Sequence, residues 1–101
     1  AFICTIDFDS SLTPEAMHAV DSFVTDDAEQ MNYYRNNGYF SGVPSHPLEL
    51  ADIVCGKAPG RQSETDRIAA VHLGLALEDV ATARILYDRA RDGGVGTRLE
   101  L

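Results

Sequence analysis

The octapeptide Arg67-Ile68-Ala69-Ala70-Val71-His72-Leu73-Gly74 can be a buried strand or the opening turns of a long helix running through Leu86. Its apolar content suits either. Gly74 separates them. Inside a helix a glycine costs about 1 kcal/mol relative to alanine, whereas at a strand-to-helix junction it lets backbone approach a ligand or a neighbouring strand. The sequence therefore predicts a strand over 67–72 and a helix over 75–91. In that helix Leu75, Ala76, Val80, Ala83, Leu86, Tyr87 and Ala90 recur at helical spacing. It closes on Arg89, Arg91 and then Asp92-Gly93-Gly94, cations in the last turn followed by glycine.

Working outward, Ala1-Phe2-Ile3-Cys4-Thr5-Ile6 is rich in strand formers and apolar on both faces, as a central parallel strand is. It has no leading loop and no initiator Met, and it reads as a chain cut from something longer; removal of Met before a small Ala would leave the same start. Thr13 before Pro14 and Glu15 is an N-cap followed by proline at the first helical position, opening a short helix to about His18 or Val20. Ser22-Phe23-Val24-Thr25 is a brief strand closed by Asp26-Asp27. Either aspartate can cap a helix over 28–35, which Asn36-Asn37-Gly38 ends. Residues 39–47, with Pro44 and Pro47, form a loop that lays aromatics against the body of the fold, and Leu48 to Val54 is a short apolar helix ending near Gly56. Lys57-Ala58-Pro59-Gly60-Arg61 is an exposed turn.

Three strands alternating with helices, and no two-residue hairpin signal between any pair, predict an α/β fold: part of a doubly wound parallel sheet ending in a long helix. Such sheets bind ligands outside the carboxyl ends of their strands. Those ends carry Asp7 and Asp9, then Asp26 and Asp27, then His72 and Gly74.

The 101 residues, 45% hydrophobic and 24% charged, suffice for one ordinary domain and exclude a two-domain enzyme within this chain. The net charge of −8 lies in the first half: nine acids stand against Arg35 alone over residues 1–52, while residues 53–101 carry seven acids and seven bases. A field of that sign repels phosphate backbones and anionic lipid, so neither nucleic acid nor a membrane surface is an expected partner. A solvated acidic face that aids solubility is the plain reading. No apolar run approaches the roughly 20 residues needed to cross a bilayer, and no segment is built like a signal peptide, so a cytoplasmic protein is expected. Cys4 and Cys55, in and beside apolar runs, are expected as free buried thiols.

The Asp7-Phe8-Asp9 pair is the best local candidate for acid/base work. Continued strand alternation would put both carboxylates on one face, where like charge pushes at least one pKa upward; the same residues could simply cap a turn. His72 is a candidate hydrogen-bonding group at a strand end or a satisfied core histidine. His18 and His46 show no metal-ligand spacing, and no metal site is expected. Lys57 and Arg61 could receive a carboxylate or phosphate, or stand solvated. The sequence holds no GxGxxG, GxxxxGK[ST] or GxSxG.

Two stretches carry a resemblance. Leu50-Ala51-Asp52-Ile53-Val54-Cys55-Gly56-Lys57-Ala58-Pro59-Gly60-Arg61, and Leu73-Gly74-Leu75-Ala76-Leu77-Glu78-Asp79-Val80-Ala81-Thr82-Ala83, resemble the C-terminal portion of the ornithine cyclodeaminase and mu-crystallin family, whose patterns are "ELGEVVxGKxPGR" and "SxGLAxEDxAxA". The first strand, the Leu12 to Ala16 helix start and the Asp26-Asp27 turn fall in the family's order too. The resemblance implies two-domain homodimers longer than this chain. Residues 1–74 would be the C-terminal part of a Rossmann-type domain, and 75–101 a helix returning toward the other domain. The phosphate-binding glycine loop would lie upstream of Ala1.

It further implies NAD or NADP as cofactor and hydride transfer at the α carbon of an amino acid or cyclic imine. The family's acid/base aspartate, in "xNxxGxD", falls on Asp9. Here Cys4 stands where Asn is common, Asp7 where Gly is common, and Ser10-Ser11-Leu12 replaces a Pro-Gly-Lys segment, which leaves Asp7 as a rival. The family's "SxG" beside the nicotinamide falls on His72, Leu73 and Gly74, the expected cofactor contacts. Because mu-crystallin serves as a binding protein, a noncatalytic parent is a second reading. An autonomous acidic domain for a basic partner is a third.

Overall fold

A computed structural model describes residues 1–100. Four parallel strands form one sheet: β1 (Phe2–Thr5), β2 (Ser22–Thr25), β3 (Leu48–Glu49) and β4 (Ile68–Val71), in the order β1-β4-β2-β3. Phe2 to Thr5 pair with Ile68 to Val71, which pair in turn with Ser22 to Thr25. The helices are α1 (Pro14–His18), α2 (Ala28–Asn36), α3 (Leu50–Val54) and α4 (Ala76–Asp92). None of them is long and apolar enough to cross a membrane among the described residues.

The strand reading of the octapeptide holds, and β4 lies inside the sheet with all four residues buried. Its side chains alternate between two cores, as period 2 requires. Ala69 and Val71 join Met17, Phe23, Met31, Phe40 and Val43 on one face; Ile68 and Ala70 join Val24, Leu48, Leu50 and Ile53 on the other. Thr13 caps α1 by accepting from the Ala16 N–H, with Pro14 following, and Asp27 rather than Asp26 caps α2 through the Gln30 N–H at 2.8 Å.

Three expectations are corrected. First, β1 is an edge strand bonded to β4 alone, with Phe2 63% and Ile3 40% exposed, because β4 and β2 occupy the interior. Cys4 is therefore exposed, and so is Cys55 just beyond α3; both thiols are free but not buried. Second, the segment predicted as helix from Leu48 begins with the two-residue strand β3, paired to Val24 and Thr25, and turns helical only at Leu50. A bridge that short leaves no periodicity to read. Third, α4 forms over nearly the predicted span but buries none of its residues; Val80, Leu86 and Tyr87 are 60–69% exposed.

The loop after α2 does lay aromatics on the body. Phe40 is 1% exposed, and its ring meets Phe8 edge-on at 4.8 Å. Gly42 lets this loop lie on α1, since a Cβ there would sit 2.6 Å from Pro14 Cα. Arg61 donates to the carbonyls of Asp66 and Ala1, tying its turn to β1, and Lys57 pairs with Asp52 at 3.5 Å.

Candidate functional site

The carboxyl ends of β1, β4 and β2 converge, and between β1 and β4 a cleft of about 410 Å³ opens. Thr5, Asp7 and Phe8 line one side; His72, Leu73, Gly74 and Glu78 line the other. The predicted cofactor contacts thus share one cleft with one of the two predicted carboxylates.

The turn after β4 is held from below. The Asp26 carboxylate, 9% exposed, accepts from the Leu73 N–H at 2.9 and 3.0 Å and from the Gly74 N–H at 2.8 Å. The Thr25 hydroxyl and the Asp27 N–H donate to it as well. Burial pushes the Asp26 pKa up, but the Leu73 and Gly74 N–H groups outweigh it and leave the carboxyl below its ordinary value. Gly74 sits at φ +83°, with nothing within 4 Å of where a Cβ would stand, so a flat group can approach its backbone. Thr5 and His72, both among the residues lining this cleft, each carry a buried atom, Thr5 Oγ1 and His72 Nδ1, without a hydrogen-bond partner among the described residues.

The two carboxylates of the Asp7-Phe8-Asp9 pair part company. The strand ends at Thr5, so alternation does not carry through to them. Asp7 lines the cleft and accepts from the Ser10 and Ser11 hydroxyls and the Ser10 N–H. Those serine hydrogen bonds hold its pKa down, the reverse of the expected upward push. Asp9 is exposed but outside the cleft lining, and its Oδ2 accepts from the Phe40 N–H at 3.0 Å. Phe40, at φ +48°, carries a strained backbone beneath this contact.

Sequence spacing missed one grouping. Ligand atoms of Asp26, His72 and Glu78 lie within 4.8 Å of one another, close enough to share a cation. His72 and Glu78 stand six residues apart across the β4–α4 junction, and Asp26 joins them from the end of β2, beyond any local motif. Both Asp26 oxygens are already committed to protein donors, which leaves them little coordination to offer.

Residues 6–94 match the ornithine cyclodeaminase/mu-crystallin family. The chain belongs to that family. An N-((2S)-2-amino-2-carboxyethyl)-L-glutamate dehydrogenase of Staphylococcus aureus is 32% identical, aligned with all of this chain and 32% of the relative. A Delta(1)-pyrroline-2-carboxylate reductase of Bacillus cereus is 38% identical over 63 residues, which are 62% of this chain and 19% of the reductase. A probable ornithine cyclodeaminase from Bordetella pertussis superposes with a TM-score of 0.71 at 27% identity, over 97% of this chain and 34% of that one. The Thermococcus litoralis Delta(1)-pyrroline-2-carboxylate reductase, solved with NADH and L-proline, gives 0.65 at 28% identity, over 88% and 29%. This family member spans about a third of the length of the dehydrogenase and the cyclodeaminase it matches.

Proposed function

We propose that this chain is the nicotinamide-side portion of an NAD(P)-dependent oxidoreductase acting on an amino acid or cyclic imine, homodimeric in its longer form. The observation that carries the reading is the open backbone of Gly74 in a cleft at the carboxyl end of a parallel sheet, on a chain of this family. The residues present suit the nicotinamide half of a dinucleotide: a flat ring can lie over Gly74, and His72 Nδ1 and Thr5 Oγ1 lack partners. The phosphates have no equivalent seat, because no glycine-rich phosphate loop occurs in the sequence.

Nicotinamide supplies or accepts the hydride. The protein's part is to orient that ring over His72, Leu73 and Gly74, and to move a proton to or from the substrate nitrogen. The family resemblance gives the proton to Asp9, whose Oδ2 is fixed by the Phe40 N–H and whose Oδ1 has no partner among the described residues. Asp7, whose carboxyl the Ser10 and Ser11 hydroxyls hold below its ordinary pKa, shapes the turn that leads to Asp9.

Titration of NADH and NADPH into the isotope-labelled chain tests the reading. Millimolar cofactor is expected to shift the His72, Leu73, Gly74 and Glu78 amide resonances, with little heat at micromolar concentration. Silence at those amides overturns the site. Binding tighter than about 100 μM, roughly −5.5 kcal/mol, overturns the account of a site without its phosphate loop.

A further inference from the structure

The sequence offers Asp26 as a strand-end carboxylate or a helix cap, yet among the described residues no other side chain joins the end of β2 so firmly to the turn that follows β4. It bridges 47 and 48 residues of sequence to take the N–H groups of Leu73 and Gly74. The consequence for a ligand is chemical. A glycine turn at a strand end is usually a source of N–H donors, and here both donors are consumed from the protein side. The carbonyls of Leu73 and Gly74 accept no hydrogen bond among the described residues. Of the polar groups on the Leu73-Gly74 backbone, the two carbonyls are thus the ones left for a ligand to meet.

We propose that Asp26 is a positioning residue that sets the hydrogen-bond polarity of this cleft, so that the Leu73-Gly74 turn selects a ligand group with an N–H donor, such as the primary carboxamide of a nicotinamide. The inference rests on the nicotinamide reading above and adds to it which end of the carboxamide the turn recognises. Asp26 touches no ligand itself. It acts through the two amides it holds, and its burial together with its five accepted hydrogen bonds keeps the turn in one arrangement.

The test compares NADH with its reduced 3-acetylpyridine analogue, in which a methyl group replaces the carboxamide NH2, by amide shifts of the labelled chain. The analogue is expected to bind about fivefold more weakly, the size of one lost neutral hydrogen bond. Equal binding overturns the proposal while leaving the nicotinamide site standing. No shift with either ligand overturns that site and the proposal with it. Asp26→Asn frees one backbone N–H and puts an amide donor against the turn, so the fivefold preference is expected to shrink toward one. Asp26→Glu, which keeps both oxygens, is expected to restore part of it. A folded Asp26→Asn chain that discriminates as the parent does overturns the role of Asp26. Hydrogen exchange in the parent chain needs no variant: Leu73 and Gly74 are expected to be protected like the strand, and rapid exchange at both overturns the clamp.

Discussion

Asp21 shows how one exposed carboxylate registers the join between strands. Its side chain accepts from the Arg67 guanidinium at 3.0 and 3.2 Å and from the Arg67 N–H at 2.8 Å, just before β2 and β4 begin. Those bonds from the Arg67 side chain and then its backbone hold the Asp21 pKa at about 2. An unfolded aspartate titrates near about 3.9, so the folded value is depressed. The stabilisation is therefore complete above about pH 4 and disappears as pH falls through about 2. Arg67→Gln is expected to return the Asp21 midpoint most of the way to the ordinary value, followed by carboxyl NMR, and to flatten the acid-side fall of Tm. A midpoint unmoved by the substitution would assign the shift to the backbone N–H alone. The pair is open to water, so added salt is expected to weaken it. The pairing is not legible in the sequence, because 46 residues separate the two members and only the strand pairing brings them together.

At the scale of elements, β4 and α4 are neighbours in sequence with opposite circumstances. Every residue of β4 is buried between two cores, whereas α4 buries none of its 17 and is preceded at the cap position by Leu75, which offers no side-chain cap. What holds α4 is local: Glu78 and Asp79 in the first turn, Arg89 and Arg91 in the last, and the Arg84–Asp88 and Arg91–Asp88 pairs. A helix of this length without packing is marginal in water. Its amides are expected to exchange on the order of a hundredfold faster than those of β4, and a chain ending at Leu75 is expected to keep the sheet's melting transition. Exchange at equal rates would mean that α4 unfolds only with the sheet. Both elements were legible in the sequence, Gly74 marking the junction and helical spacing the span of α4. What spacing could not supply was the partner of each. The apolar stretch 1–6 that read as a central strand supplies the edge strand β1, since hydrophobicity reports burial only where another element arrives to cover it. The candidate site divides likewise. His72, Leu73 and Gly74 were readable as a local motif that runs on to Glu78, while Asp26 joins them only through the sheet order β1-β4-β2-β3.

Across the whole molecule, surface area and shape agree. A compact monomer of 11.0 kDa exposes about 5,600 Å², and this chain exposes 7412 Å². Its radius of gyration is 17.2 Å, against about 13 Å for a compact domain of 100 residues. The excess area, about 1,800 Å², is roughly twice what one partner contributes to a standard protein–protein interface, and much of the exposed apolar surface is Phe2 and Ile3 on the β1 edge and Leu77, Val80, Ile85, Leu86 and Tyr87 on α4. An unpaired parallel edge and an unpacked apolar helix both favour association, while the net charge of −8 opposes it. The two influences respond differently to salt. Ionic strength shortens the reach of the repulsion, to about 8 Å at 0.15 M, and leaves the hydrophobic attraction nearly untouched. Sedimentation is therefore expected to find a monomer at low salt that self-associates as salt is raised. Leu86→Glu with Val80→Glu, on the exposed face of α4, is expected to shift the onset to higher protein concentration. A monodisperse monomer across the whole salt range would show that the exposed apolar surface is too dispersed to act as one patch, and that the β1 edge is protected by its brevity.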